Sequence, residues 1–170
     1  MSGRTAFPDT EWEPTSEFWA AAARGVLSIP RCGACQEYVW YPLPVCRACG
    51  AEDVRWVPMS GRGALFSWAV VERALFAPFA ERAPYVPGLV ALEEDSRVRI
   101  VTNLVDCESA ELHVDMPVRA IFRDLTFPGS ERRVPAPFFT PSTPLKPSRS
   151  SPPPTPFPAA AGTASGSGVA

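Results

Sequence analysis

This sequence contains very little histidine or lysine, and it has no excess of positive charge. His113 is the single histidine, and Lys146 is the single lysine. Sixteen Lys and Arg residues stand against eighteen Asp and Glu residues, so the formal net charge is −2. Proteins that follow a nucleic-acid backbone usually carry a clear basic excess, and this balance therefore disfavours that class of function.

Long apolar segments are also missing. No run reaches the roughly 18 consecutive apolar residues that suggest a membrane span. The opening MSGRTAFPDTEWEPT lacks the basic start and apolar core of a secretory leader. We therefore expect a soluble, cytoplasmic protein without membrane contact. A reducing compartment disfavours structural disulfides, so paired cysteines there point to metal binding or redox chemistry.

Familiar catalytic motifs are absent as well. The sequence contains no GxSxG, no P-loop, no GxGxxG and no paired carboxylate signature. Cys107 and His113 offer a thiol and an imidazole, but no motif joins them in a catalytic role. We interpret Cys107 as a small buried or edge thiol and expect the chain to have no catalytic residues.

The second half of the sequence has a β pattern. Apolar residues make up 46 % of the chain, which is enough for a packed core. Strand-forming residues recur at near-regular spacing, which favours a small barrel or sandwich over a parallel sheet. The last of these segments contains prolines, and we predict an edge strand there because proline is tolerated at sheet edges. The predicted strands lie within residues 63–73, 85–94, 97–106, 116–125 and 133–139.

Two flanking segments differ in composition from this β region. TSEFWAAAARG predicts a short helix that Thr15 or Ser16 caps and Gly25 ends. From residue 140 onward the chain is rich in Pro, Ser, Ala and Gly and has almost no large apolar residues. Such a segment cannot offset the entropy of ordering, so we predict a disordered tail.

Four of the five cysteines lie in RCGACQEYVWYPLPVCRACG, in two CxxC pairs with ten residues between them. Each CxxC turn brings two sulfurs to one side of an ion, and a second turn facing it completes a tetrahedral S4 site. Zinc suits that site, iron fits its geometry too, and four protein ligands leave no open position for catalysis. A redox CxxC usually occurs once and at a helix start, so we favour metal binding. The predicted ligands are Cys32, Cys35, Cys46 and Cys49.

The residues around the cysteines predict a small ribbon. Gly50 follows the second pair, where a positive φ is often needed, whereas Gln36 occupies the same place after the first pair. Between the pairs, EYVWYPLPV has aromatic and branched residues suited to a two-stranded ribbon, and Pro42 and Pro44 would turn the chain toward the second pair. A ribbon this small has little core, so the metal would supply much of its folding free energy.

Several of these segments together resemble one protein family. FWAAAARGVLSIPRCGAC, YPLPVCRACG, GRGALFSW and MPVRAIF are similar to segments of the DUF35, or acyl-CoA-associated OB-fold, family, over about residues 12–139. The resemblance implies a mainly β fold: an N-terminal helix, a rubredoxin-like zinc ribbon and a five-stranded OB-fold barrel, followed by the disordered tail. Gln36 and Asp115 stand where the family commonly has glycine, and Asp tolerates a positive φ better than most residues. The implied domains are residues 1–28 for the loosely ordered arm and helix, 29–58 for the ribbon, 59–139 for the barrel and 140–170 for the tail.

The resemblance also implies a function. Members of the family are similar to scaffolds: they dock on thiolase-superfamily enzymes and help to form an acyl-CoA site. We therefore expect a non-catalytic accessory subunit in a hetero-oligomer with a thiolase, an aldolase, a hydroxymethylglutaryl-CoA-synthase-like enzyme or a polyketide acyltransferase. Zinc, in preference to iron, would occupy the four cysteines, and a CoA thioester would bind only together with the partner. The candidate partner interface consists of aromatic residues near the ribbon: Phe18, Trp19, Tyr38, Trp40 and Tyr41.

Two other functions are alternatives. OB-folds also bind single-stranded nucleic acid, by stacking bases on aromatic rings in a basic groove. The residues for that role would be Phe66, Trp68, Phe122, Arg97, Arg99, Arg119 and Arg123. The other alternative is a stand-alone acyl-CoA-binding protein, since arginine suits the CoA phosphates.

Overall fold

A helix, a two-stranded ribbon and a five-stranded barrel follow one another along the chain. The computed structural model describes residues 7–74 and 76–142. Short 3-10 helices precede the second and the fourth barrel strand. They span Ala77–Arg82 and Ser109–Glu111. The main elements are α1 (Glu13–Ala23), β1 (Ser28–Cys32), β2 (Val54–Pro58), β3 (Arg62–Trp68), β4 (Val86–Leu92), β5 (Arg99–Leu104), β6 (Pro117–Leu125) and β7 (Val134–Pro141).

The barrel has the strand order of an OB-fold. Strands β3, β4 and β5 form an antiparallel meander, β6 pairs back onto β3, and β7 lies between β5 and β6. The ring is closed in the order β3-β4-β5-β7-β6. The mainly β fold, with a helix, a ribbon and a five-stranded barrel, is therefore confirmed, and each predicted strand is present within a few residues.

The helix starts earlier than predicted. Its N-cap is Trp12 rather than Thr15 or Ser16, and Pro14 lies in the first turn, where a missing backbone N–H leaves no hydrogen bond unmade. Thr15 is buried inside the helix. Gly25 follows the helix end with φ 73°, as predicted. Within the described ranges, no helix has the length and apolar character needed to cross a membrane.

The ribbon strands flank the cysteine pairs instead of lying between them. β1 leads into the first pair and β2 leaves the second, with a register that runs from Ser28–Pro58 to Cys32–Val54. The predicted strands between the pairs are wrong, since that segment makes one isolated bridge, between Arg31 and Tyr38. Pro42 and the other proline of this segment lack the N–H that a strand ladder needs.

Strand β7 closes the barrel and is not an edge strand. It pairs with β6 along its whole length and meets β5 at one parallel position, between Leu104 and Phe139. On the β5 side, the Phe139 carbonyl accepts from the backbone N–H of Val105 at 2.9 Å, and the Pro137 carbonyl accepts from the Thr102 hydroxyl at 3.0 Å. The prolines of β7 share this sparsely bonded side, so their missing N–H groups remove no bond to β6.

The C-terminal boundary also moves. β7 continues through Thr140 and Pro141, two residues that the sequence assigned to the disordered tail. Thr140 is buried and pairs with Arg119 of β6. The rest of the predicted tail, from residue 143 to residue 170, lies outside the described residues.

One hydrophobic core joins the three parts of the fold. Alternate residues of the barrel strands point inward, and the helix and β1 add their own apolar side chains to the same cluster. Because these side chains interdigitate, the ribbon and the barrel pack as neighbours of one core. The buried members include Phe18, Leu27, Ile29, Leu65, Val90, Ile100, Val118 and Phe139.

Polar contacts also tie the ribbon to the barrel. The Trp40 indole N–H donates to the Arg99 carbonyl at 2.9 Å. The Arg97 guanidinium lies 2.6 Å from a Glu37 carboxylate oxygen of the ribbon and 2.7 Å from an Asp95 oxygen of the barrel. The Arg97 side chain is 70 % exposed and that of Glu37 is 41 % exposed, so the ion pair between ribbon and barrel orients the two parts more than it stabilises them.

The SGRG segment has a steric role in the barrel. Gly61 has φ 73°, which glycine adopts without penalty. A Cβ on Gly63 would lie 2.4 Å from the Ala91 carbonyl oxygen of β4. Only glycine therefore allows β3 to pass this close to its neighbour.

Adjacent residues of β5 offer a direct test of the barrel core. Ile100 is 2 % exposed and Val101 is 76 % exposed. We expect Ile100→Ala to lower the free energy of unfolding by about 2–4 kcal/mol through lost burial and a residual cavity. The matched control Val101→Ala should change it by less than about 0.5 kcal/mol. Urea unfolding of both variants measures the difference, and equal losses would contradict an inward Ile100 beside an outward Val101.

Candidate metal centre

The four predicted ligands converge at one end of the ribbon. The sulfur atoms of Cys32, Cys35, Cys46 and Cys49 all lie within 4.8 Å of one another. The Cys32–Cys49 and Cys35–Cys46 sulfur pairs are each separated by 3.6 Å. Zinc–sulfur bonds of about 2.3 Å place the corners of a tetrahedron about 3.8 Å apart. The arrangement therefore fits one tetrahedral metal ion with four thiolate ligands.

The two cysteine turns have the same backbone geometry. In each, the carbonyl of the first cysteine accepts from the N–H four residues later: Gln36 donates to Cys32 at 3.0 Å, and Gly50 donates to Cys46 at 2.8 Å. Both donors have positive φ, 65° for Gln36 and 77° for Gly50. The Gln36 side-chain amide also donates to the Gly33 carbonyl at 2.7 Å, which helps a non-glycine residue to hold this conformation.

The close approach of the four thiols also shifts the proton affinities of Cys32 and Cys35. The Cys35 backbone N–H, directed at the Cys32 sulfur, lowers the pKa of Cys32 to about 7. The Glu37 backbone N–H lowers the pKa of Cys35, but burial and the thiols of Cys49, Cys46 and Cys32 outweigh it and raise that pKa to about 12. Four thiols this close cannot all lose protons unless a positive ion compensates their charge.

The surroundings of the cluster indicate a structural site. Cys32 and Cys46 are buried with Val39, and partly buried apolar residues of the ribbon pack on them. Cys35 and Cys49 lie toward solvent. Four protein sulfurs complete a tetrahedral shell and leave no position for a substrate.

The predicted interface aromatics cluster, but they differ in exposure. Phe18 is buried and packs edge-on against Trp19, with 5.1 Å between ring centres. Trp19, Tyr38 and Trp40 are partly buried against the shared core. Tyr41 is 57 % exposed and is the member of this group with most surface available to a partner.

Sequence reasoning missed one aromatic residue on the same side of the molecule. Trp12 is 50 % exposed and stacks on Tyr41, with ring centres 6.5 Å apart. It lies immediately before the helix, in a segment whose composition predicts a loose arm. Pro14, which suits a first helical turn, was the signal that could have moved the helix start back to Trp12.

Of the residues considered for nucleic-acid binding, Arg99 and Phe66 are in contact, with the guanidinium over the ring. Trp68 and Phe122 pack against the barrel core, and Phe66 is the one exposed ring of the three. Arg97 and Arg123 are held in ion pairs. Among the residues considered, this leaves no row of stacking rings beside a basic track, which single-strand binding uses.

Cys107 and His113 have local roles. Cys107 is half-buried, and burial together with the charges of Asp106, Glu108 and Glu111 raises the pKa of its thiol. A raised pKa keeps the thiol protonated at neutral pH and lowers its nucleophilicity. The His113 Nδ1 atom lies 3.1 Å from the Glu111 carbonyl oxygen.

Two protein-family profiles match consecutive parts of the chain. Residues 19–55 match the profile described as "ChsH2, rubredoxin-like zinc ribbon domain". Residues 56–123 match "ChsH2, C-terminal OB-fold domain". The boundary between the two matches lies within β2, where the ribbon passes into the barrel.

Individual proteins are similar over the same region. The DUF35 domain-containing scaffold protein of Methanocaldococcus jannaschii is 29 % identical over 102 residues, which are 59 % of this chain and 70 % of that protein. The 3-oxo-4,17-pregnadiene-20-carboxyl-CoA hydratase alpha subunit of Mycobacterium tuberculosis is 33 % identical over 122 residues, 69 % of this chain and 38 % of that longer protein. Among solved structures, a chain of "Ltp2-ChsH2(DUF35) aldolase" matches with a TM-score of 0.66 and 30 % identity, over 81 % of this chain and 98 % of that one.

Removing one ligand tests the metal centre. We expect purified wild-type protein to carry about one equivalent of zinc per chain and Cys46→Ser to lose it, because three thiolates and a hydroxyl bind zinc far more weakly. Cys107→Ser is the matched control and should keep the metal. Elemental analysis by mass spectrometry measures zinc and iron together. Full metal content in Cys46→Ser would exclude the four-sulfur site.

The first cysteine turn offers a test of backbone strain. Gln36→Gly should raise the free energy of unfolding of the metal-loaded protein by about 0.5–1 kcal/mol, since glycine adopts positive φ without penalty. Gly50→Ala at the equivalent position should lower it by about 1 kcal/mol. Denaturant titration compares the two, and a loss of stability in Gln36→Gly would show that its side-chain bond to Gly33 outweighs the strain.

Proposed function

Because this chain belongs to the DUF35 family of zinc-ribbon and OB-fold proteins, we propose that it is a non-catalytic accessory subunit of a thiolase-superfamily enzyme. The observation that carries this proposal is the structural match to 98 % of a chain in an Ltp2-ChsH2(DUF35) aldolase. Relatives named scaffold proteins support a role in assembly. Among the candidate partners, an aldolase-like catalytic subunit in a hetero-oligomer is the one this match favours.

The metal in this proposal is zinc, bound by the four cysteines. When bound, zinc supplies the bonds that join the two cysteine turns and hold β1 beside β2. Cys32 and Cys46 anchor it from the buried side, and Cys35 and Cys49 close it on the exposed side. The site serves the fold of the ribbon and takes no part in the reaction.

The acyl-CoA site would be completed only in the complex. The raised pKa of Cys107 argues against an activated nucleophile at that position. The Mycobacterium tuberculosis relative is named a subunit of an acyl-CoA hydratase, which supports acyl-CoA chemistry in the partner. This chain would therefore contribute walls and orientation to the CoA thioester site, while the catalytic subunit would contribute the reacting groups.

The ribbon side is the proposed region of contact predicted from sequence. Tyr41 and Trp12 provide its exposed surface, and Trp40 packs against Tyr41 with 5.3 Å between ring centres. Phe18 and Trp19 pack between this group and the shared core. Large aromatic rings that pack on neighbouring side chains are typical of energetically important interface positions.

Co-purification tests the proposed function. We expect the tagged full-length chain, expressed in its own organism, to recover a thiolase-superfamily protein in a defined hetero-oligomer, because the chain has aromatic surface that this assembly would bury. Affinity purification, mass spectrometry and native mass measurement identify the partner and the stoichiometry. Isothermal titration with coenzyme A should give binding to the complex and none to the isolated chain.

Two variants serve as controls in this experiment. Cys107→Ser should recover the partner as wild type does, whereas Cys46→Ser should lose it together with the ribbon. A stable monomer that recovers no thiolase-superfamily protein would overturn the accessory role. Tight coenzyme A binding by the monomer alone would favour the stand-alone acyl-CoA-binding protein.

A further inference from the structure

The outer surface of the barrel carries an apolar patch that the helix and ribbon leave uncovered. Val101 of β5 is 76 % exposed, and Phe66 of β3 is 41 % exposed. Leu89 of β4 pairs directly with Val101. Its neighbours Gly88 and Val90 are buried, so Leu89 points outward. We call Phe66, Leu89 and Val101 the sheet-face patch.

This patch is not a by-product of core packing. The inward positions of the same strands are already occupied by Leu65, Val90 and Ile100, each at most 2 % exposed. In an antiparallel barrel, inward apolar residues alternate along each strand with outward residues, which are normally polar. Single exposed apolar residues need no explanation, but large apolar side chains on three neighbouring strands mark an interaction surface.

A β-bulge and a cation hold Phe66 on this face. The β3–β4 register shifts between Leu65 and Ser67, so Phe66 is the extra residue and its side chain is directed outward. The Arg99 guanidinium carbon lies 3.7 Å from the centre of the Phe66 ring. The Trp40 indole fixes the Arg99 backbone through its carbonyl. The patch is therefore rigid and has a positive charge beside it.

In the part of the chain that the structure describes, no carboxylate pairs with the positive charge of Arg99. Arg97, two residues earlier on the same side of the strand, is paired with both Asp95 and Glu37. The surface thus offers an apolar centre together with one uncompensated guanidinium group, which a carboxylate would satisfy.

This charge pattern decides between possible occupants. The sheet-face patch contains no carboxylate, so a second copy packed on the same face would leave both Arg99 side chains without partners. A nucleic-acid strand would find only Phe66 as a stacking ring here, because Trp68 faces the core. A different protein, with an apolar surface and a carboxylate opposite Arg99, would cover the apolar side chains and pair with the guanidinium.

We propose that the catalytic subunit docks on the sheet-face patch and pairs one of its carboxylates with Arg99. This inference rests on the proposed function and adds a second contact region, on the barrel, to the aromatic region of the ribbon. Trp40 connects the two regions, since its ring packs on Tyr41 and its N–H holds Arg99. The partner would therefore contact one continuous, rigid surface that includes both domains.

The test compares binding of metal-loaded, full-length variants to the thiolase-superfamily subunit recovered with the wild-type chain. Val101→Glu should weaken the complex by about 30-fold or more, because it places a charge in the apolar centre. Val101→Thr keeps the shape and should weaken it only a few-fold. Arg99→Glu should weaken binding by about 10-fold and reduce its salt dependence. Arg133→Glu, another exposed barrel arginine, is the matched charge control and should have little effect.

Each variant is first checked for an unchanged unfolding midpoint, which its surface position predicts. If wild type binds the catalytic subunit and Val101→Glu binds equally well, the sheet-face proposal is wrong while the accessory function stands. If wild type binds no thiolase-superfamily subunit, both fail. A dimer of the purified chain that Val101→Glu dissociates would assign the face to a second copy. A salt-sensitive gel shift with a single-stranded oligonucleotide, lost in Val101→Glu, would assign it to nucleic acid.

Discussion

The convergence of four cysteine sulfurs is the constraint on which the ribbon depends, and the ribbon in turn positions Trp40 against the barrel. The buried cluster around the cysteine turns is small: Cys32, Val39 and Cys46, with a few partly buried neighbours. Burial on that scale cannot offset the entropy of ordering the segment between β1 and β2. The β1–β2 ladder and, in the proposed zinc-bound form, metal–sulfur bonds would therefore hold the ribbon, and β1 extends this order into the barrel through Ile29.

The same arrangement explains why ribbon and barrel act as one body. Trp40 lies on the ribbon segment that the cysteines hold, and it contacts Phe18 of the helix, Tyr41 beside it and Arg99 of the barrel. A side chain that joins three parts of the fold leaves little freedom between them. A partner that binds this side of the molecule would meet a preorganised surface, which lowers the entropy that binding must overcome.

Features that depend on near neighbours were predictable from the sequence. The CxxC pairs identified the four cysteines that converge, and positive φ was predicted at Gly50, where φ is 77°. Features that depend on distant partners were not. The strand at the C-terminal end of the barrel was predicted as an edge from its prolines, but its position between β5 and β6 follows from closure of the ring. The helix start moved because Pro14 suits a first helical turn as well as it suits a loose arm.

The sequence by itself determined which four cysteines converge and the mainly β fold, because residue spacing and strand alternation are short-range properties, and the resemblance of several segments gave the family. Only the tertiary structure decided which aromatic and branched side chains are buried and which are left for a partner. Phe18, predicted as interface, is covered by Trp40, while Phe66 is directed outward at a one-residue bulge. Val101 is exposed although its neighbour Ile100 is buried. All of these side chains are apolar, and only strand register and long-range packing decide which of them are buried.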